Sequence, residues 1–416
     1  MMHKIFFTLT FQITLALFLG CCLGLILQNY PIAYSDEILS ITDMGGYGFI
    51  QALKYIATPL VFTSIIGGIM SLGSFKLLGR IGFKTISLYL ITTLIAVISS
   101  LTFMSIVNPK FQLNLEKLPQ EENLKFSTFW EALYEALTKN PLDSLDQGNL
   151  LQLILIALIA GCILMLFFGK NKSAVRGFNV FHEWMMRLVI FFMKFAPLGI
   201  FCLMTNVFYS LGIDAIIPLG SYLSLIILMI FYQAFIIYPL FLKFLGGISP
   251  IYFYKKIKNV ILLASSTASS NATLPVTLET VEKELLVDSS ISSFSIPLGA
   301  TINMDALALA YGVAAVFLSN AYGIDLSFDQ YLNITFWTVI ASVGTAGIPG
   351  VGLIALFLVF QQAHLPTHGI PMLMSVSRFG DMIGTALNVT GDIVVTCIVA
   401  KSEGKMGEKN EVYVNK

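Results

Sequence analysis

Asp381, Thr385, Asn388 and Asp392 recur at i, i+4, i+7 and i+11 in a stretch apolar enough to lie in a bilayer. At 3.6 residues per turn, that spacing aligns four oxygen-bearing side chains on one helical face. A second cluster, Asn303-Met304-Asp305, sets an amide and an acid in equally apolar surroundings. A charge at membrane depth costs roughly 2.5 to 3.5 kcal/mol even on lenient insertion scales, so these groups need compensating partners. The face is therefore a candidate lining for an ion and a polar substrate. An acid serving only as hydrogen-bonded glue between helices is the plainer explanation of one isolated aspartate, but it fits three acids with matching asparagines poorly.

These residues need membrane elements to position them, and composition supplies that class. Apolar residues make up 56% of the 416-residue chain and charged residues 12%, with a mean hydropathy of +0.82. That balance belongs to a polytopic membrane protein. Net charge is zero, and the Lys and Arg cluster between apolar runs, so no nucleic-acid partner is indicated. No H-E-x-x-H or comparable pattern points to a metalloenzyme. Cys21, Cys22, Cys162, Cys202 and Cys397 sit in apolar segments without ligand spacing and read as buried hydrophobes.

Apolar runs long enough to span recur at about 5–28, 46–72, 85–108, 148–169, 178–207 and 214–243. The first exceeds a signal-peptide core and is expected to be retained. Basic residues lie in alternate loops: Lys76, Arg80 and Lys84, then Lys170, Lys172 and Arg176, then Lys255, Lys256 and Lys258. The stretches Ile32 to Gly45 and Ser210 to Ala215 carry none and are expected to be the opposite loops. The positive-inside rule then puts both termini in the cytoplasm, with Lys401, Lys405 and Lys409 in agreement. The polar stretch Asn108 to Gly148 is expected outside, with Phe129 to Leu137 a surface helix.

Beyond about residue 250 the apolar stretches shorten and take in Gly, Pro and small polar residues. Residues 250–286 read as a re-entrant hairpin with a tip from Ser265 to Pro275, and 329–366 repeat the plan with a tip from Ala341 to Gly350. Each is followed by an apolar helix with a central acid, Asp305 or Asp381. Non-helical backbone at bilayer depth is tolerated only where it lines a cavity or is buried in protein, so both tips are expected at one site. Matching units of this kind form the inverted repeat of many secondary transporters. Re-entrant loops also build channel filters, but a channel usually repeats one filter sequence, whereas these two tips differ.

The tip ending Ala272-Thr273-Leu274-Pro275, the run Gly299 to Asp305, the tip Gly344 to Gly350 and the run Asn388 to Asp392 together resemble the dicarboxylate/amino acid:cation symporter family, over nearly the whole chain. The resemblance implies an all-α fold of eight transmembrane helices plus two re-entrant hairpins, assembled as a homotrimer in the plasma (inner) membrane. It implies scaffold helices in 1–75 and 148–210, a moving unit in 76–108 and 211–400, an extracellular loop at 109–147 and a cytoplasmic tail at 401–416. The motion would be elevator-like, with the second hairpin as extracellular gate.

The same resemblance implies co-transported Na+ and no organic cofactor. One sodium site would use Asp392 with main-chain oxygens of Gly299, Asn303 and Asn388. A second would use Asp305 and Asn303 with Tyr89, Thr92 and Thr93. A third would use carbonyls of Thr301, Ser342, Val343 and Thr345. For the substrate, Asp381 would hold an α-ammonium and Asn388 an α-carboxylate, with Thr385 beside them and backbone at Ser269, Ser270 and Gly347 completing the cradle.

Two departures bear on specificity. The family's arginine clamp for a side-chain carboxylate is Gly384 here, and its supporting threonine is Leu307. A hydrogen atom cannot replace a bidentate guanidinium, so a small neutral amino acid is the expected substrate. Arg378 reads as pairing with Asp381 at i+3 or snorkelling outward. Were it to reach the pocket, an acidic amino acid or C4-dicarboxylate would be the substrate.

Overall fold

A computed structural model describes residues 9–30, 34–71, 78–109, 150–168, 176–177, 180–181, 184–185, 187–188, 191–192, 194–343, 351–367 and 369–407. Among them the fold is helical apart from one antiparallel bridge, Val287 to Met406. The helices are α1 Leu9–Asn29, α2 Ser35–Ser71, α3 Phe83–Val107, α4 Leu150–Phe168, α5 Ala196–Leu211 and α6 Ile216–Tyr232. Then follow α7 Pro250–Thr267, α8 Ser270–Lys283, α9 Ser289–Ile302, α10 Asp305–Ala321, α11 Phe328–Val343, α12 Val351–Gln362 and α13 Ile370–Ser402. Six described helical stretches are long and apolar enough to cross a membrane: Phe11–Asn29, Gly79–Val107, Ala196–Asp214, Ile216–Gly246, Ser289–Ala321 and Phe379–Ser402. This is a multi-pass membrane protein.

Packing separates the helices into two neighbourhoods. α1 lies along α5, and α2 lies along α4 and α5, whereas α6, α7, α9 and α10 gather around α13, and α3 lies along α10. The core that positions the site sits in this second group, where nearly all of α10 and of α13 beyond Ala386 are buried.

Local chemistry explains the breaks. Ser249 caps α7 by accepting from the Tyr252 amide, and Pro250 starts the helix where its missing N–H is harmless. α7 ends at Ala268, whose φ of 48° is left-handed, and Ser269 then caps α8 by accepting from the Ala272 amide. The non-helical tip is thus only Ala268 and Ser269, narrower than the expected 265–275. Pro275 lies inside α8, so the local cap rather than the proline ends the first half. Asp288 caps α9 through the Ser290 amide at 2.9 Å.

Three further expectations need correction. The stretch 35–45 is the first part of α2 and not a loop, because Asp36 and Glu37 favour a helix start. The 178–207 run is interrupted by a turn at Lys194 and Phe195, with Pro197 opening α5 behind it. Asp305 is not in mid-helix, since Asn303 and Met304 leave helical geometry and Asp305 begins α10. The 109–147 loop beyond Pro109, the hairpin tip 344–350 and the tail beyond 407 lie outside the described residues.

One end of the bundle gathers the charges. Glu403 accepts from Lys84 at 2.6 Å and from Arg80, and these hydrogen bonds, with the two positive charges, hold its carboxyl below the usual range. The Asp288 amide donates to Lys405 O at 3.0 Å and the Gly407 amide to Leu286 O at 2.8 Å, tying the segment after α13 to the exit of the first hairpin. Lys256 pairs with Glu284 at 2.7 Å close by.

Candidate functional site: two buried carboxylates at a helix break

The break between α9 and α10 puts Asn303 at the centre. Its Nδ2 donates to Asp392 Oδ1 at 2.9 Å and to Asn388 O at 3.2 Å, while its backbone N–H donates to Gly299 O at 2.9 Å. Gly299, Asn303, Asn388 and Asp392 are therefore brought together, as expected for the first site. Gly299 is obligatory there. A Cβ on it would sit 2.4 Å from Asp392 Oδ1 and 2.6 Å from the Tyr89 hydroxyl.

The second set also converges. Thr93 donates to Asp305 Oδ1 at 2.7 Å, and Thr92 reaches the same oxygen at 3.3 Å and Asn303 Oδ1 at 3.4 Å. Tyr89 enters differently from a side-chain ligand. Its hydroxyl is engaged with Ser295, whereas its carbonyl accepts from Thr92 at 3.0 Å, so the main-chain oxygen faces the cluster.

Of the third set, Thr301 is half-buried in α9 and Ser342 is buried in the last turn of α11, which packs against α9. Val343 is the last residue of α11. Thr345 and Gly347 lie outside the described residues.

On α13 the residues expected to hold the substrate share one face as the spacing predicts. Asp381 and Thr385 are half-buried, with Thr385 donating back to the Asp381 carbonyl at 2.7 Å, and Gly384 and Asn388 are buried. Asn388 Oδ1 accepts from the Ala306 amide at 2.8 Å, while Nδ2 points at Met304 Sδ, 3.3 Å away. A thioether is a weak acceptor, so this donor would gain by exchanging sulfur for a carboxylate oxygen. Ser269 and Ser270 are buried at the start of α8, which packs against α13.

Little room is left beside Gly384. A Cβ there would lie 3.0 Å from Ala306 Cβ, so the glycine lets α13 approach α10 closely. Leu307 is half-buried, and its Cδ2 would be 2.5 Å from a Cβ on Gly352 in α12.

Two residues of the site escape the motif reading. Gln233 and Tyr238 both donate to Asp305 Oδ2, at 3.2 and 2.9 Å, from a π-helical turn, Gln233–Ile237, and the residue after it. A carboxamide alone in the apolar run 214–243 is the signal that would have found Gln233, and π-turns recur at functional sites. Its Oε1 is buried without a partner among the described residues, an oxygen able to turn onto a cation. Gln233→Leu is therefore expected to raise the cation concentration for half-maximal uptake by about tenfold, as a hydrogen bond to a charged group is worth about 1.5 kcal/mol or more. Uptake titrated with cation checks this, and an unchanged midpoint would remove Gln233 from the site.

Electrostatics give the cluster its meaning. Asp305 and Asp392 are fully buried, and among the described residues no Lys or Arg forms an ion pair with either. Two buried negative charges without cations are costly, and their surroundings are hydroxyl, carbonyl and amide oxygens suited to hard cations. Among the described residues no three His, Cys, Asp or Glu side chains group as a transition-metal site.

Comparison with known proteins identifies the family. The sequence profile of the sodium:dicarboxylate symporter family matches residues 9–402. The chain belongs to that family. Among similar proteins, the proton/sodium-glutamate symport protein of Bacillus caldotenax is 30% identical over 412 residues, covering 96% of each chain. The proton/glutamate-aspartate symporter of Escherichia coli K12 is 29% identical over 420 residues, covering 98% of this chain and 96% of its own. The C4-dicarboxylate transport protein of Bacillus subtilis is 27% identical over 417 residues, covering 98% and 97%. The symporter is thus a transporter and not an enzyme, and the channel reading gives way to it.

Proposed function

We propose that this symporter couples inward movement of a small neutral amino acid to sodium. The observation that carries the coupling is the pair of buried carboxylates, Asp305 and Asp392, linked through Thr92 and Asn303 and ringed by neutral oxygens. A cation entering there supplies the missing positive charge. Each net charge that crosses gains roughly 2.3 kcal/mol per 100 mV of membrane potential, which drives accumulation.

Asp381 holds the ammonium and Asn388 the carboxylate of the solute, with the start of α8 closing over them. Support for a neutral side chain is the Gly384, Ala306 and Leu307 surface, where no described side chain is cationic. The two packing neighbourhoods suit a stationary scaffold and a sliding unit, an elevator within a homotrimer. In this reading the positive-inside rule gives both termini to the cytoplasm.

The names of the relatives favour a second reading, an acidic amino acid or C4-dicarboxylate, with Arg378 on α13 as its cation. Uptake by proteoliposomes separates these readings. Replacing external sodium by choline at constant pH is expected to abolish uptake, and full uptake in choline would refute sodium coupling. Serine, alanine or threonine should compete with the labelled substrate far better than glutamate or aspartate.

A further inference from the structure

The open end of the first hairpin carries a cavity that the transport site does not use. It has a volume of about 410 Å³ and lies between α7 and α8, lined by Lys255, Lys256, Lys258 and Lys283 with Asn259 and Thr280. The carboxylates of Glu279 and Glu284 complete the lining and neutralise two of the lysines, Lys256 pairing with Glu284 at 2.7 Å and Lys283 with Glu279 at 2.8 Å. Lys255 and Lys258 are exposed and have no carboxylate partner among the described residues, so the cavity keeps a surplus of two positive charges.

Two exposed apolar residues flank them on the same helix face. Ile251, Lys255, Lys258 and Leu262 fall at i, i+4, i+7 and i+11, one stripe of α7, with Ile251 84% and Leu262 68% exposed. The opposite face of α7, from Phe253 to Ala264, is buried against the core. At 1.5 Å per residue the two lysines stand about 8 to 12 Å along the helix from Pro250, at the charged end of the bundle. Leu262 continues the stripe toward the bilayer interior.

We propose that this groove binds the phosphate headgroup of an anionic phospholipid, whose acyl chains run toward the bilayer interior past the exposed Leu262. Lys255 and Lys258 supply the charge, extending their ammonium groups to headgroup depth, and Asn259 and Thr280 supply neutral hydrogen bonds to the phosphate oxygens. A soluble phosphate would satisfy the cations but leave the exposed Leu262, on the bilayer side of the lysines, uncovered, and that favours a lipid. The assignment depends on the membrane location of the chain and not on its substrate.

The test is thermal melting of the purified full-length chain in detergent with added phosphatidylglycerol or phosphatidylcholine. Phosphatidylglycerol is expected to raise the melting temperature by several degrees over phosphatidylcholine, because a ligand of the folded state stabilises it by mass action. The Lys255→Gln/Lys258→Gln double variant should lose at least half of that gain, and the Lys255→Arg/Lys258→Arg variant should keep it. A full gain in the glutamine variant overturns the site, as does loss of the gain in the arginine variant. Inorganic phosphate giving the same gain in phosphatidylcholine overturns the lipid assignment in favour of a soluble anion.

Discussion

Asp392→Asn is expected to weaken sodium binding on the order of a hundredfold and to reduce uptake at ordinary sodium concentrations to background. The carboxylate is buried, and the side-chain amide of Asn303 is its only described hydrogen-bond donor. A cation bound there is compensated chiefly by that one charge and the nearby Asp305. Removing one member of a buried charge pair costs about 3 kcal/mol or more, and each 1.4 kcal/mol is tenfold in affinity. Because Asn303 also bonds the Asn388 carbonyl, and the Asn388 side chain is the proposed carboxylate ligand, the loss passes to the substrate by reciprocal linkage.

The same variant carries a second expectation with the opposite sign. Without sodium the wild-type carboxylate is an uncompensated buried charge, so asparagine should melt at an equal or higher temperature in choline chloride. Melting curves in sodium and choline chloride therefore separate a folding defect from a binding defect. Sodium stabilisation of the variant as large as that of the wild type would remove Asp392 from the coupling site.

Much of this site was legible in the sequence because its signal is a violated rule. Asp305, Asp381 and Asp392 are acids in apolar helices, and the spacing from 381 to 392 needs only the helical period to put them on one face. The position of Asp305 was less legible. Propensity gives no reason for a break at Asn303 and Met304, which tertiary hydrogen bonds from Asn303 to α13 hold open. Tyr89 belongs to the set that the resemblance implies, but which of its oxygens faces the cluster depends on Ser295 in another helix. Tyr238 gave no signal, since a tyrosine near a helix end is ordinary in any membrane protein. The tip of the first hairpin was legible in kind and not in length, because capping by Ser269 lets the chain re-enter a helix within two residues. The contact between Gly384 and Ala306 is a matter of interhelical distance, which no spacing within one helix encodes.

That contact shapes the specificity prediction. Gly384→Arg with Leu307→Thr should shift preference from serine, alanine or threonine toward aspartate or glutamate by on the order of a hundredfold. An unpaired carboxylate buried between α10 and α13 costs several kcal/mol, and a bidentate guanidinium removes much of that cost. The new Cβ would begin 3.0 Å from Ala306 Cβ, so the two helices must part by a few tenths of an ångström before the arginine can extend. Leu307→Thr acts in the same direction, since its Cδ2 presses toward Gly352 and the shorter side chain frees space while adding a hydroxyl. Gly384→Ala isolates the steric part, and it should lower uptake of all substrates by a similar factor without changing their order. Competition uptake with the three proteins side by side is the measurement. If the unmodified symporter already prefers glutamate or aspartate, or the double variant keeps the unmodified order, then position 384 does not set the charge of the substrate, and the cation must come from elsewhere, with Arg378 the first residue to replace.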